Sequence, residues 1–538
     1  MVVLPVPYDE SMFELPAAMR PDTLQQMAGE PLDVLVIGGG ITGAGVALDA
    51  ALRGLRVGLV ERDDFACGTS SRSSKMIHGG LRYLATGDVR LVREALKERR
   101  GIQQRAAHLV RPLPMLLPVH GVRVPWNRVK LGAGLWIYDL LGAWRAGVRH
   151  KWLTQEETLA VAPNAAPEGL LGALSYNDAQ ADDVRLVLAV LRTAARHGAL
   201  LCNGANAAEL LRDGERVAGA RILSDATPGG SVEIEARVVV NATGVWADQL
   251  GADAHGTDSF EILPSKGIHL TVPRERLGVD TGMAFFSQTG NSNVFVEPWQ
   301  DDLAFIGTSD DPYTGDLATP HATPAEIERL LAGVNPFLRE PLASSDVIAS
   351  WAGLRPLVVK PGERAKSSKD VSRNHRTVVA PGLVTLVGGK LTTYRAMAED
   401  AVNEVARQLD RPLPECRTET APLEGSADVR SSAAVDGLVA QLKIPRGAAR
   451  HLLRRYGTRC EIIVELCRAD PELAEPLHPE RPYIVAEVAY AARYELARDV
   501  EDVLSRRTRL ALETADGGAA ATAAVEAVLP RYAAPISS

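Results

Sequence analysis

Three glycines near the N-terminus follow an apolar run at the spacing of a dinucleotide-binding turn. Residues 32–37 (LDVLVI) are rich in Val and Ile, as expected of a buried parallel strand. Gly38, Gly40 and Gly43 then give Gly-x-Gly-x-x-Gly where this strand would turn into a helix. The first glycine permits a tight turn, the second admits a pyrophosphate and the third lets helix pack on strand. The helix N-terminus would offer N–H groups to the phosphates, so the pattern predicts a dinucleotide site.

Glu61 stands at the end of the second predicted strand, residues 56–60. A carboxylate there can accept hydrogen bonds from both hydroxyls of an adenosine ribose. It would repel a 2′-phosphate, which disfavours NADP.

Two further apolar runs end in glycine turns, and they bear on the choice between NAD and FAD. Residues 236–244 read ARVVVNATG, and residues 381–395 read PGLVTLVGGKLTTYR. Each alone is also compatible with an ordinary strand–helix junction. A nicotinamide enzyme usually needs one such turn, whereas the long FAD molecule needs backbone N–H groups at several places. The three turns together therefore favour FAD.

Several ordered segments resemble the FAD-dependent, quinone-linked glycerol-3-phosphate dehydrogenase family, a different fold family from the soluble NAD-dependent enzymes. The resemblance covers most of residues 33–401, and residues 485–510 resemble the family's C-terminal helical domain. The segments are GGGITGAGVALDAALRGL, CGTSSRSSKMIHGGLRYL, VVNATGVWAD, FIGTSDDPYTGD, WAGLRPL and VGGKLTTYRAMAEDA.

The resemblance implies that the stretch SSRSSKMIHGGLRYL (residues 70–84) passes over the flavin. Its serines suit the ribityl and pyrophosphate oxygens, and its Gly-Gly pair lets the backbone approach a planar ring. The cofactor-binding residues expected from the motifs and the resemblance are Gly38, Gly40, Gly43, Glu61, Thr69, Ser70, Ser71, Ser74, His78, Gly79, Gly80, Gly244, Gly389, Lys390, Leu391 and Thr392.

The resemblance also implies oxidation of sn-glycerol 3-phosphate to dihydroxyacetone phosphate, so the site needs fixed cations for a phosphate. Arg82 and Arg373 are expected to hold the phosphate, with Tyr83 beside Arg82 at the flavin edge. Arg355 in WAGLRPL is expected nearer the reacting carbon, where it would stabilise alkoxide charge. The segment SRNHR around Arg373 departs from the family pattern, which has an acidic residue after the arginine.

His269 in SKGIHLTV is the favoured general base, because an imidazole can accept a proton near neutral pH. His78 is the alternative base. Lys390 is expected to lie near flavin N1 and C2=O, where it would stabilise the reduced anionic flavin.

Residues 121–152 contain four of the protein's seven tryptophans and carry a basic excess in a chain of net charge −8. Tryptophan and basic residues around a short apolar middle suit an interfacial membrane segment or a core helix with a basic rim. The membrane interpretation agrees with a dehydrogenase that passes electrons to a membrane quinone. The alternatives are an FAD oxidase that uses oxygen on glycerol 3-phosphate or an amino acid, and a non-enzymatic flavin- or lipid-binding protein.

The predicted fold class is α/β: a Rossmann-type FAD-binding domain interleaved with an antiparallel-sheet substrate domain, plus a C-terminal helical domain. Residues 1–30 are expected to be a poorly ordered extension, and residues 31–409 the oxidoreductase region. Within that region, the FAD segments are placed at 31–110, 180–250 and 345–405, and the substrate segments at 111–180 and 251–345. A linker (410–427), the helical domain (428–515) and an Ala-rich, frayed tail (516–538) follow.

Composition limits the partners, metal sites and cellular locations that the protein can have. The acidic net charge and pI near 5.9 argue against a nucleic-acid partner. Five scattered cysteines without a Cys-x-x-Cys pair indicate a reducing compartment and no metal site. We find no secretory signal and no spanning segment, so we expect a cytoplasmic protein, peripheral on the inner face of the cell membrane. A homodimer is compatible with the sequence.

Overall fold

The computed structural model describes residues 14–80, 88–120, 136, 138, 150–250, 260–285, 294–359, 375–427 and 429–534. The strands are β1 Leu32–Ile37, β2 Val57–Val60, β3 Met76–Ile77, β4 Arg111–His120, β5 Lys151–Leu153, β6 Leu170–Gln180, β7 Leu200–Cys202, β8 Asn206–Asp213, β9 Arg216–Leu223, β10 Ser231–Asn241, β11 Glu261–Pro273, β12 Gly282–Phe285, β13 Val294–Trp299, β14 Leu303–Gly307, β15 Asp311–Pro312, β16 Ala349–Val359, β17 Arg376–Ala380 and β18 Leu383–Val387. The α-helices are α1 Arg20–Gly29, α2 Ile41–Leu52, α3 Val89–Arg105, α4 Gln155–Val161, α5 Asp183–Arg196, α6 Pro324–Val334, α7 Tyr394–Gln408, α8 Ser432–Leu442, α9 Arg446–Tyr456, α10 Cys460–Ala469, α11 Ala486–Tyr494, α12 Leu510–Glu513 and α13 Thr522–Tyr532.

The first sheet carries the predicted strand–glycine turns. Its order is β17-β18-β10-β1-β2-β7, and β18, β10, β1, β2 and β7 run parallel. Because strands buried on both faces need continuous apolar runs, β1 and β2 read as Val/Leu/Ile segments. Helices α2, α5 and α7 pack on this sheet in one apolar core. The carboxyl ends of β1, β10 and β18 therefore meet at one edge, as a doubly wound fold requires.

The second sheet is mainly antiparallel, in the order β15-β11-β14-β13-β12-β4-β6-β3. The long strand β16 pairs with β11 over residues 349–359, and β5 pairs with β6. Helix α6 covers this sheet in a separate core. The C-terminal helices from α8 onwards enclose a third core of their own. This arrangement confirms the predicted fold class.

Several boundaries differ from the sequence expectations. Residues 20–29 form α1, whose Leu24 and Met27 are buried in an apolar cluster against β1 and β9. Strand β16 was expected in an FAD segment, but it completes the second sheet through its pairing with β11. The expected linker contributes Leu423 to the core of the first sheet.

The Ala-rich segment after Gly517 is a packed helix rather than a frayed tail. Val525, Val528 and Leu529 of α13 are buried in the core of the C-terminal helical domain. Their spacing places them on one helix face, and alanine elsewhere favours the helical backbone. Among the described residues, no helix combines the length and apolar character needed to cross a membrane.

Candidate active site

A cavity of about 1250 Å³ runs from the carboxyl edge of the first sheet to the face of the second. This volume exceeds the 300–1,000 Å³ typical of a small-ligand pocket, so it can hold a large cofactor together with a substrate. The sequence-predicted residues that line it are Gly38, Gly40, Glu61, Thr69, Ser70, Ser74, His78, Gly80, Gly244, His269, Arg355, Gly389, Lys390, Leu391 and Thr392. Gly43, Ser71 and Gly79 do not line it, and Arg82, Tyr83 and Arg373 lie outside the described residues.

The first glycine turn is held by close backbone contacts. Gly38 has φ +111°, and a Cβ there would lie 2.6 Å from the carbonyl oxygen of Ala242, the residue that follows β10. A Cβ on Gly43 would lie 1.9 Å from the carbonyl oxygen of Gly38. Gly43 therefore supports the turn from behind by close packing, whereas Gly38 and Gly40 face the cavity.

Helix α2 points its N-terminus into the cavity directly after this turn. The backbone N–H of Ile41 donates to the Oγ of Ser70 at 3.0 Å, so the serine loop, residues 69–74, is joined to the start of the helix. Gly40 precedes the helix, and a Cβ there would lie 3.1 Å from the Oγ of Ser70. This arrangement presents backbone dipoles and a hydroxyl to an anionic group such as a pyrophosphate.

Glu61 lines the cavity beside the first glycine turn. Its Oε2 accepts from the backbone N–H of Gly39 at 2.7 Å, and its Oε1 accepts from the N–H of Asp63 at 3.0 Å. Burial raises the pKa of Glu61, while these two backbone bonds act against the increase. A carboxylate has about four lone-pair positions, so a fixed Glu61 can still accept ribose hydroxyls.

Some side chains of the serine loop between Thr69 and Ser74 bond to the protein backbone, and others line the cavity. The Oγ1 of Thr69 donates to the carbonyl oxygen of Leu354 at 2.7 Å, which joins the loop to β16. The Oγ of Ser71 donates to the carbonyl oxygen of Gly68 at 3.3 Å. Ser71 is therefore a turn-stabilising residue here, in contrast to the expectation that it faces the cofactor.

Gly79 is also used differently from the sequence expectation. Its N–H donates to the hydroxyl of Tyr138 at 3.0 Å and to Asp178 at 3.2 Å. A Cβ at Gly79 would lie 2.3 Å from that hydroxyl and 2.4 Å from Leu96. Close packing on these side chains explains the glycine, while Gly80, with φ +73°, faces the cavity.

His269 is buried in β11 and has defined neighbours on two sides. Its Nε2 lies 2.9 Å from the Oγ of Ser74, and its ring stacks on Trp351 at a centroid distance of 5.0 Å. Burial lowers the pKa of His269 well below 6.5, and the positive charges of Arg355 and Lys75 lower it further. The imidazole is therefore neutral at pH 7 and can accept a proton.

Arg355 lies on β16 beside β11 and lines the same part of the cavity. Its Nη2 donates to the Oγ1 of Thr308 at 2.9 Å, and its Nη1 donates to the carbonyl oxygen of Ser309 at 3.1 Å. A Cβ on Gly267 would lie 2.6 Å from Nη2, so glycine leaves room for the guanidinium. The side chain is 23% exposed, which leaves a fixed cation accessible to a cavity ligand.

The last glycine turn lies between β18 and α7. Gly388 and Gly389 have φ of +76° and +91°, and Gly389, Lys390, Leu391 and Thr392 line the cavity. The Oγ1 of Thr392 accepts from the backbone N–H of His78 at 3.2 Å. The turn is thereby joined to the loop that follows the serines.

Sequence reasoning did not identify the residues that pack against the serine loop and His269. Asp183, Lys75 and Trp351 contact the serine loop or His269 without belonging to a glycine motif. Trp351 is part of the WAGLRPL segment, but only the β11–β16 register places it beside His269.

The cavity residues fit FAD. Gly38 and Gly40 precede a helix N-terminus, Glu61 is fixed after β2 where the dinucleotide motif predicts a ribose, and two more glycine turns contribute backbone along the cavity. Residues 33–398 match the family described as FAD dependent oxidoreductase, and residues 416–533 match the C-terminal domain of alpha-glycerophosphate oxidase. The fold and the cavity thus define an FAD-dependent oxidoreductase, and FAD is its cofactor.

Comparison with related proteins identifies the family within the FAD-dependent oxidoreductases. Glycerol-3-phosphate dehydrogenase 2 of Mycobacterium tuberculosis is 41% identical over 501 residues, which cover 92% of this chain and 84% of that protein. A mitochondrial relative from Caenorhabditis elegans, a probable glycerol-3-phosphate dehydrogenase, is 38% identical over 91% of this chain and 69% of its own length. The FAD complex of glycerol-3-phosphate dehydrogenase from Bacillus halodurans superposes with a TM-score of 0.76 at 27% identity, covering 97% and 99% of the two chains. The chain belongs to the FAD-dependent glycerol-3-phosphate dehydrogenase family.

Proposed function

We propose that this protein oxidises sn-glycerol 3-phosphate to dihydroxyacetone phosphate and passes the electrons to a membrane quinone. The observation that carries the proposal is the placement of a neutral histidine and a fixed arginine in one cavity with the cofactor residues. His269 and Arg355 both line it, on the paired strands β11 and β16. The kinship with glycerol-3-phosphate dehydrogenases supports this substrate.

In this reaction the proton of the C2 hydroxyl reaches Nε2 of His269 through the hydroxyl of Ser74, and both residues line the cavity. In the Nδ1–H tautomer the single lone pair of Nε2 accepts a hydrogen bond from the Oγ of Ser74, which gives its proton to Nε2 as it takes the proton of the C2 hydroxyl. Arg355 lies close enough to contribute to the lowered pKa of His269, and its charge favours the alkoxide that forms as the proton leaves. Bound FAD supplies a two-electron acceptor for the hydride from C2.

A substrate phosphate needs cations, and the expected ones are Arg82 and Arg373. Guanidinium groups bind phosphate by paired, charge-assisted hydrogen bonds. We propose these roles from the sequence resemblance, since both positions lie outside the described residues. Lys390 lines the cavity beside the last glycine turn, and we propose that it stabilises the reduced flavin.

We propose that the protein lies on the inner face of the membrane, where it can reach its quinone acceptor. Trp136, in the Trp-rich basic segment 121–152, is 56% exposed. An exposed tryptophan near basic residues is typical of an interfacial membrane segment. A lipid-soluble acceptor would then be reached at the membrane surface, and a homodimer is compatible with this arrangement.

An oxygen-using oxidase is the second candidate, and the match of residues 416–533 to the oxidase C-terminal domain favours it. The two candidates share substrate and flavin reduction and differ in the acceptor. The oxidase would produce hydrogen peroxide, whereas the dehydrogenase would reduce a quinone.

Anaerobic addition of sn-glycerol 3-phosphate to the FAD-loaded protein tests the substrate. We expect rapid bleaching of the visible flavin band, and no bleaching with sn-glycerol 1-phosphate or with glycerol. Fast recovery of colour with a quinone analogue and slow recovery in air would support the dehydrogenase. Fast recovery in air with stoichiometric peroxide would favour the oxidase, and no bleaching would refute the substrate.

Arg355→Lys and Arg355→Met separate charge from geometry in the same assay. We expect flavin reduction to slow by about 10²–10³-fold in the methionine variant, because it lacks a charge that stabilises the alkoxide. The lysine variant should retain part of the rate. Equal rates in both variants and wild type would remove Arg355 from the reaction.

A further inference from the structure

The proton acceptor His269 depends on one hydroxyl for its orientation. Ser74 Oγ lies 2.9 Å from Nε2, and Trp351 stacks on the ring at an interplanar angle of 9°. The stacking fixes the plane of the ring, while Ser74 fixes the atom that faces the cavity. The position of Ser74 therefore determines the direction from which the lone pair of Nε2 can receive a proton.

The two chain neighbours of Ser74 are both held by one carboxylate. Asp183 Oδ2 accepts from the Oγ of Ser73 at 2.7 Å and from its backbone N–H at 3.2 Å. The Nζ of Lys75 lies 3.3 Å from each carboxylate oxygen of Asp183, and its side chain is fully buried. Asp183 thus holds both sides of the peptide segment that carries Ser74.

Lys75 adds a second link to the base. Its backbone has φ +59°, a conformation that a non-glycine residue adopts only when its surroundings enforce it. Its Nζ lies 5.2 Å from the centroid of the Trp351 ring and 5.9 Å from that of Phe305. The ammonium therefore contacts the carboxylate on one side and the ring that stacks on His269 on the other.

Asp183 is itself held by the C-terminal helical domain. Arg509 donates from Nη2 to both Asp183 Oδ1 and Asp182 Oδ1, the latter at 2.8 Å. Its Nη1 is 3.5 Å from the carbonyl oxygen of Ser71. Arg509 is 1% exposed, and the residues lie more than 320 positions apart in the chain, so only the packed domain can bring this charge here.

We propose that Arg509 is a positioning residue for the proton acceptor. Acting from the C-terminal helical domain, it holds Asp183, which holds Ser73 and Lys75 and so places Ser74 against Nε2 of His269. The proposal rests on the proposed function for the role of His269. It gives the C-terminal domain a part in the oxidation without any direct contact with the substrate.

Arg509→Lys tests the link, with Arg455→Lys as a matched control. The Nη1 of Arg455 donates to Asp182 Oδ2 at 2.7 Å, and this arginine is also buried in the C-terminal domain, but no bond joins it to Asp183 among the described contacts. Both changes keep the charge and remove the planar fork. Thermal midpoint and FAD content of each variant measure the purely structural effect.

We expect Arg509→Lys to slow anaerobic flavin reduction about 10- to 100-fold at unchanged FAD content, because small displacements of catalytic groups cost this much. Arg455→Lys should stay within about twofold of wild type at a comparable loss of stability. Equal slowing in both variants would overturn the proposal. If Arg509→Lys does not fold, Ser73→Ala tests the next step of the path, because it removes the shortest bond between Asp183 and the segment that carries Ser74. We expect it to slow reduction in the same direction, and an unchanged rate would refute the path through Ser73.

A double-mutant cycle that combines Arg509→Lys with Ser74→Ala tests whether Arg509 acts on the rate through Ser74. When two residues act through one contact, their effects on the rate are not additive. Arg509→Lys should therefore slow the enzyme by less than about twofold when Ser74 is already alanine. Full additivity would show that Arg509 acts elsewhere, and the proposal would fail.

A measurement without substrate separates this proposal from the proposed function. Carbethoxylation of His269 in the substrate-free holoenzyme can be followed by peptide mass spectrometry. We expect the reaction to be several-fold faster in Arg509→Lys and Ser74→Ala and unchanged in Arg455→Lys, since Nε2 loses a fixed partner only in the first two. An unchanged rate in Arg509→Lys would refute the positioning role even if glycerol 3-phosphate proves not to be the substrate.

Discussion

His269 and Glu297 are buried titratable residues near the cavity whose pKa values are displaced in opposite directions. Burial lowers the pKa of His269, aided by nearby positive charges. Burial raises the pKa of Glu297 to about 8, although a hydrogen bond from Gln180 at 2.9 Å and the charge of Lys75 act against it. In both cases low dielectric favours the neutral form. The neutral histidine is useful for catalysis, whereas the neutral carboxyl reduces the cost of burial.

His269→Asn should slow anaerobic flavin reduction by about 10²–10⁴-fold, the range associated with loss of a general base. FAD content should be retained, because the glycine turns are unchanged. In wild type, the rate should stay level from pH 8 to pH 6.5 and fall only at lower pH, since the pKa of His269 lies well below 6.5. His321→Asn, at an exposed histidine, is the control. A variant with the wild-type rate would exclude His269 as the base.

Glu297→Gln should stabilise the protein at alkaline pH. The raised pKa means that the native state retains a proton between pH 4.5 and about 8 that the unfolded chain has released. Stability from this group is thus complete below pH 4.5 and decreases as pH rises to about 8. Glutamine resembles the protonated form, so we expect a gain of at least about 1 kcal/mol at pH 8 and little change at pH 4.5. Thermal midpoints at both pH values provide the measurement; an equal shift at each would contradict the assignment.

At the scale of elements, the strand–turn–helix unit β1–α2 was predictable, whereas the contacts between distant elements were not. Gly38, Gly40 and Glu61 fall where a local pattern places them, because each role depends on residues close in sequence. The packing role of Gly79 depends on Tyr138, and the membership of β16 in the second sheet depends on its register with β11. Periodicity records which face of an element is apolar and not which element will cover it.

Gly43→Ala should distort the glycine turn between β1 and α2 and weaken FAD binding. The new Cβ would lie 1.9 Å from the carbonyl oxygen of Gly38, and a forced shift in a packed region costs about 1–3 kcal/mol. We expect FAD affinity to fall at least about tenfold, since about 1.4 kcal/mol equals one decade. Gly447→Ala in α9 is the matched control, because nothing lies within 4 Å of its Cβ position. That variant should keep its FAD affinity and gain about 0.5–1 kcal/mol of stability. Undiminished FAD affinity in Gly43→Ala would show that the turn can relax.

At the scale of the whole molecule, buried ion pairs join the C-terminal domain to the first sheet. Asp64 accepts from Arg506 Nε at 2.5 Å and from both terminal nitrogens of Arg507, at 2.7 and 2.8 Å. Burial alone would raise the pKa of Asp64, but the two guanidinium groups outweigh it and lower that pKa to about 2. The carboxylate is therefore ionised and paired throughout the neutral range.

Asp64→Asn should lower stability by about 1.5–3 kcal/mol, because two buried guanidinium groups lose the carboxylate they share, although Arg506 keeps its ion pair with Asp502. Thermal and urea midpoints measure the loss. Asp311→Asn is the control, since its pair with Arg329 is substantially exposed and should contribute less than about 1 kcal/mol. Similar small losses in the two variants would show that water reaches the Asp64 cluster.

The separation of these partners along the chain has a consequence for synthesis. Asp64 and Arg507 are 443 residues apart, and Asp183 and Arg509 are 326 apart. During translation, the N-terminal part of the chain would have to bury Asp64 and Asp183 before the arginines that neutralise them have been synthesised. We therefore expect the nascent chain to acquire FAD only after its last hundred residues have emerged, and prematurely terminated chains to be recognised as unfolded by chaperones and proteases.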